Sequence, residues 1–65
     1  MVNEEPVVSL SARYTIAQTA KFLGMSRNTI KKYTEIGELK SITHKSTGKT
    51  LYEGIAILKF WRTKA

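Results

Sequence analysis

Three consecutive residues, Gly24-Met25-Ser26, constrain this chain more than any others, because they stop one helix and start another with almost nothing between. Upstream, Thr15-Ile16-Ala17-Gln18 has the capping-box pattern, in which the threonine hydroxyl and the glutamine side chain satisfy backbone amides left free at a helix start. At about 100° per residue, Ile16, Thr19, Ala20 and Leu23 gather on one side while Gln18 and Lys21 point away, so this helix has a face to bury. Gly24 suits the positive φ that closes a last turn cheaply. Ser26 is a good N-cap for a second helix running through Arg27 to about Ile36, and Gly37 is a second stop. So short a glycine-containing turn holds the two helices at a steep angle.

The rest of the chain supplies what these helices pack on. Leu39 to Tyr52 reads as two short strands around the polar turn Lys45-Ser46-Thr47-Gly48-Lys49. Glu53 to about Thr63 reads as a third helix, with Ile57, Leu58 and Trp61 on one face and Phe60 at its edge. Residues 1–12 show no helical period, and Pro6 disfavours helix in the residue before it, which predicts a flexible or extended arm and a folded unit over 13–65. The expected fold is mainly α with a small β-hairpin, in the order helix, helix, hairpin, helix.

Charge narrows the function. The 65 residues carry eleven Lys and Arg against five Asp and Glu, a net +6, and all eleven cations lie after Ala12, where only Glu35, Glu38 and Glu53 oppose them. The folded part is therefore near +8, a field that favours a polyanion, with nucleic acid first and an anionic membrane second. With no cysteine, neither disulfides nor thiolate metal sites reinforce the core, which suits a reducing cytosol. No apolar run approaches the roughly 20 residues that cross a bilayer, and Glu4 and Glu5 stand where a secretory signal would be basic. A protein of the cytoplasm, associated with the nucleoid, is the expectation.

The second helix carries the chemistry. Arg27, Lys31, Glu35, Asn28 and Lys32 occupy one arc, and Ile36, Thr29, Tyr33 and Ile30 the opposite one. Such a helix can rest on a core and enter a DNA major groove, where Arg reads guanine and Asn reads adenine. Arg27 and Asn28, in the first turn, are placed to reach base edges; Lys31 and Lys32 lie further along and suit phosphates. In the hairpin turn, Lys45, Ser46, Thr47 and Lys49 form a compact set for phosphate or minor-groove contacts. Gln18, Ser26, Thr29 and Tyr33 complete the candidate DNA-contacting residues. Against this stand blander readings: a solvated basic helix face, or an adaptor whose basic face docks on an acidic protein. Enzyme readings find little support, because the single His44 lacks the Cys or second His a zinc site needs, and Ser26 has no accompanying base and serves better as a cap. No metal, cofactor or catalytic residue is expected.

The stretch Tyr14-Thr15-Ile16-Ala17-Gln18-Thr19-Ala20-Lys21-Phe22-Leu23-Gly24-Met25-Ser26-Arg27-Asn28-Thr29-Ile30 resembles the opening motif of the excisionase and MerR-like winged helix-turn-helix group, in which an alanine, a Leu-Gly pair and a Ser before the recognition helix recur. Ile36-Gly37-Glu38-Leu39 is similar to that family's exit into the wing, and Tyr52 with Ile57 or Leu58 and Trp61 to its return strand and closing helix. The resemblance covers about fifty residues. It implies a recognition helix in the major groove, a wing on the neighbouring backbone or minor groove, and copies binding repeated sites cooperatively. It departs at Gln18, where the family often has an acidic residue, and at Tyr52-Glu53-Gly54, which lacks the usual Ser or Asp cap. MerR regulators continue into a long dimerising helix and an effector region, whereas this chain stops at Ala65, so the short excisionase-like members are the better comparison and no small-molecule effector is expected. The resulting expectation is a DNA-binding protein that serves a recombinase or integrase at the ends of a mobile element, or a transcriptional regulator using the same surface. Self-association is expected, with Phe60, Ile55 and the Val7-Val8 arm as candidate contacts.

Overall fold

A computed structural model describes residues 2–64. Strand β1 (Arg13–Thr15) runs directly into helix α1 (Ile16–Leu23); α2 (Arg27–Glu35), β2 (Ile42–Thr43), β3 (Thr50–Glu53) and α3 (Gly54–Lys64) follow. Thr15 closes the capping box on α1, its side chain accepting from the Gln18 amide while Gln18 accepts from the Thr15 amide. Gly24 ends α1 in the left-handed region at φ 67°, and Ser26 caps α2 by accepting from the Thr29 amide. Both helix starts and the turn between them follow from local chemistry alone.

The strands differ from the sequence expectation. Instead of a two-stranded hairpin there is a three-stranded antiparallel sheet of order β1-β3-β2, with Tyr14 opposite Tyr52 and Ile42 opposite Leu51. β1 is three residues long and ends on the α1 cap; a segment that short has no readable alternation, and only its partner makes it a strand. The sheet and the three helices enclose Ala20, Leu23, Ile30, Leu39, Tyr52, Ile57 and Phe60. Thr19 is also fully buried, and its hydroxyl has no hydrogen-bond partner among the described residues.

Three apolar placements are corrected. Phe60, expected at the edge of α3 and as a contact for a second copy, is only 3% exposed and meets the Tyr33 ring edge-on at 5.0 Å, so it belongs to the core. Trp61, expected on the buried face, is half-buried, its indole N–H donating to the Val2 carbonyl at 3.1 Å. Ile36, counted with the apolar arc of the second helix, is 58% exposed because α2 has ended and Ile36 is its C-cap, at ψ 0°.

The first twelve residues contain no helix or strand among those described, yet they touch the body at several points. The Val2 amide donates to the Leu23 carbonyl at the end of α1, the Ser9 amide donates to the Tyr14 hydroxyl, and Glu5 pairs with Arg62 at 3.0 Å. Most consequential is the N-terminus of α3. The sequence offers no cap there; instead the Gly54 amide donates to the Ala12 carbonyl at 2.9 Å. The arm crosses so closely that a Cβ at position 54 would overlap the Ser9 carbonyl, which makes glycine the residue that fits. At the other end of α3, Lys64 pairs with Glu38 at 2.7 Å and lies over the Tyr33 ring. The hydrogen bond to the Glu38 carboxylate, aided by its charge, raises the Lys64 pKa against the opposing effect of burial.

Candidate nucleic-acid interface

Helix α2 is held by its inner side and open on its outer side. Ile30 is fully buried, and Tyr33 is half-buried against Phe60. Thr34 fixes the helix to the sheet: its hydroxyl donates to the Ile30 carbonyl at 2.8 Å, which leaves its oxygen to accept from the buried Tyr52 hydroxyl, also at 2.8 Å. With that side anchored, Arg27, Asn28, Lys31, Lys32 and Glu35 are all exposed. The outward arc of the helical wheel is thus a surface of four hydrogen-bond-rich side chains and one carboxylate.

The turn between β2 and β3 stands beside this helix. The His44 amide donates to the Lys49 carbonyl at 2.8 Å, the Gly48 amide donates to the His44 carbonyl at 2.7 Å, and Gly48 sits at φ 69°. Ser46 Oγ lies 2.8 Å from His44 Nδ1, and Thr47 Oγ1 accepts from the Lys49 amide at 3.4 Å. These hydroxyls shape the turn, while Lys45 and Lys49 remain exposed at its shoulders. Between the turn and α2 runs a cleft of about 470 Å³, lined by Lys31 and Glu35 on one wall and by Lys49, Thr50 and Leu51 on the other. Thr15, at the start of α1, opens into the same cleft. Both walls therefore contribute a cation to one concave surface.

The sequence-derived residues divide accordingly. Arg27, Asn28, Lys31 and Lys32 share the open face of α2, and Lys45, Ser46, Thr47 and Lys49 the neighbouring turn. Ser26 and Thr29 sit at the head of α2 with their hydroxyls 2.9 Å apart, occupied with each other and with the cap. The Tyr33 ring is packed into the body and covered by Lys64. Gln18 lies elsewhere: its Oε1 serves the capping box, and it lines a hollow between α1 and the arm with Lys21, Glu4 and Glu5. Sequence reasoning missed Thr34, whose role depends on a tyrosine 18 residues away. A signal existed in the pairing of a threonine in the last turn of α2 with the one tyrosine of the segment 39–52, but neither residue alone reveals it.

Two capped helices joined by a glycine turn, the second presenting an open cationic and amide face beside a β-turn wing, define a winged helix-turn-helix. A family model described as a helix-turn-helix domain matches residues 13–65, and the chain belongs to that family. Membership implies double-stranded DNA as the ligand. No curated protein and no solved structure matches the chain significantly. Among the described residues, no helix is long and apolar enough to cross a membrane.

Proposed function

We propose that this chain is a sequence-specific DNA-binding protein of the excisionase type, a recombination directionality factor that binds near the ends of a mobile element and bends or organises the DNA so that a recombinase or integrase can act. The observation that carries the reading is the exposure of Arg27 and Asn28 in the first turn of α2, the helix whose Lys31 faces Lys49 of the cationic turn across a cleft. The first pair has the chemistry to read guanine and adenine edges while the second holds the backbone on either side. The family takes in excisionase-like domains, which supports the finer assignment. A domain of this size offers little surface to a duplex, so tight binding calls for copies acting together, and bending adds contacts that a straight site would not give.

The test separates reading from holding. Against a duplex selected for tight binding, Arg27→Ala and Asn28→Ala should each cost about 1–3 kcal/mol and flatten the preference at one base pair. Lys45→Ala and Lys49→Ala should weaken selected and random duplexes alike. Binding untouched by all four changes overturns the assignment of this surface. Added to an integrase reaction on the element's ends, the wild-type protein should drive excision and the Arg27→Ala variant should not.

A further inference from the structure

The turn between β2 and β3 holds one titratable side chain that the proposed contacts do not use. His44 is fixed through its backbone on both sides, its amide donating to the Lys49 carbonyl at 2.8 Å and its carbonyl accepting from the Gly48 amide at 2.7 Å. The ring is fixed as well, because Nδ1 lies 2.8 Å from Ser46 Oγ. Nε2, the other ring nitrogen, makes no hydrogen bond among the described residues, and the residue is exposed. Lys45 follows it in the chain and Lys49 stands opposite it across the turn, so the imidazole sits between the two cations that hold the DNA backbone in the proposed complex. The charged groups facing this turn across the cleft are Lys31 and Glu35 of α2.

The partner on Nδ1 decides what the ring can do. A serine hydroxyl gives a hydrogen or takes one, so Ser46 stays bonded to Nδ1 whether the imidazole is neutral or protonated. In the imidazolium both nitrogens donate: Nδ1 to Ser46 Oγ, and Nε2 to whatever acceptor meets the turn. An anionic oxygen gains most from that second donor, since a bond between two ionised groups is shorter and stronger and keeps the proton on the ring. The phosphates of a duplex supply such oxygens at every step of the backbone.

We infer that His44 is a phosphate ligand of the wing, oriented by Ser46, and that its imidazole takes up one proton from solvent when the chain binds duplex DNA. This contact presupposes the DNA-binding reading and gives the wing a hold on the backbone whose strength follows pH. By linkage, a complex that favours the charged ring binds more tightly as pH falls through the histidine range, and the gain is absent well above that range. Ordinary carboxylates are ionised above about pH 5.5, so the window from there to about pH 8 belongs to the histidine.

The test is an anisotropy titration of the full chain on a random-sequence duplex at about pH 5.5 and about pH 8, each over a range of salt. Wild type should bind about tenfold tighter at the lower pH. Its salt slope should also be steeper there by about 0.9, because the imidazolium joins the lysines in neutralising phosphate. His44→Gln keeps a polar side chain in the turn without the charge; it should match wild type at the higher pH, as an intact turn must, and lose both gains at the lower. His44→Lys is charged at either pH and should show the low-pH affinity and slope throughout. A pH gain or slope change that His44→Gln retains overturns the inference, as does wild-type binding that is equal at both pH values. Because phosphate contacts are indifferent to sequence, the outcome stands apart from whether Arg27 and Asn28 read bases. A chain that binds no duplex at either pH overturns the DNA-binding reading itself, and this contact with it.

Discussion

Thr19 and Thr34 show how one residue type does opposite things in one small core. Thr34 has both functions of its hydroxyl satisfied, giving a hydrogen to its own helix and accepting one from Tyr52, and it thereby sets the height of α2 above the sheet. Thr19 is fully buried with its hydroxyl unpartnered among the described residues. A buried hydroxyl without a partner costs on the order of 1–3 kcal/mol, whereas an apolar group of the same shape does not. Thr19→Val keeps the branched shape and the helical propensity, so it should stabilise the domain by about 1 kcal/mol, raising the melting temperature by a few degrees. Thermal denaturation followed by circular dichroism checks this, and a lower melting temperature would mean that the hydroxyl has a partner after all. The DNA-facing residues were legible one by one in the sequence, because Arg27, Asn28, Lys31 and Lys32 owe their exposure to helical spacing from the Ser26 cap. Tyr33 was less legible, since even from the apolar arc its hydroxyl suits a DNA contact until Phe60 is seen beneath the ring.

At the scale of elements, α1, the turn and α2 could be read from their punctuation, since caps and glycine stops act over three or four residues. What the chain concealed was everything that depends on distant partners. β1 is a strand only because β3 lies beside it, and α3 starts without a cap of its own because Ala12, 42 positions earlier, provides the acceptor. The missing cap is visible in the sequence and its replacement is not, because no local pattern links residues 9–12 to Gly54. This coupling is testable. Gly54→Ala adds one methyl where the Ser9 carbonyl already sits, so the arm must lift or α3 must shift. Overpacking of this kind typically costs 1–3 kcal/mol, against the roughly 1 kcal/mol that alanine gains over glycine within an ordinary helix. The substitution should therefore lower stability in urea denaturation and raise hydrogen exchange at the amides of position 54 and Ser9. A variant more stable than wild type would show that the arm is not seated on α3.

For the whole molecule, the deciding quantity is how its charge is distributed between surfaces. Of the eleven cations, Arg27, Lys31, Lys32, Lys45 and Lys49 lie on α2 and the wing, Lys40 and Lys59 line a hollow between α3 and the segment 38–42, Lys21 lines the hollow beside the arm, Arg13 lies on β1, and Arg62 and Lys64 are held by Glu5 and Glu38. Of the five on α2 and the wing, Arg27 is assigned to a base edge, which leaves Lys31, Lys32, Lys45 and Lys49 to meet phosphates together. Each phosphate neutralised on duplex DNA contributes about −0.9 to the slope of log K against log salt, so the four lysines of one bound copy should give a slope of about −3.6. Lys45→Ala and Lys49→Ala should each reduce its magnitude by about 0.9, because each removes one phosphate contact, whereas Asn28→Ala should leave the slope unchanged while costing affinity for the selected site. Two copies bound on adjacent half-sites should double the slope to about −7. Fluorescence anisotropy titrations between 50 and 300 mM salt on one-site and two-site duplexes separate these cases. A slope near zero on both would place the positive face against a protein partner in place of DNA.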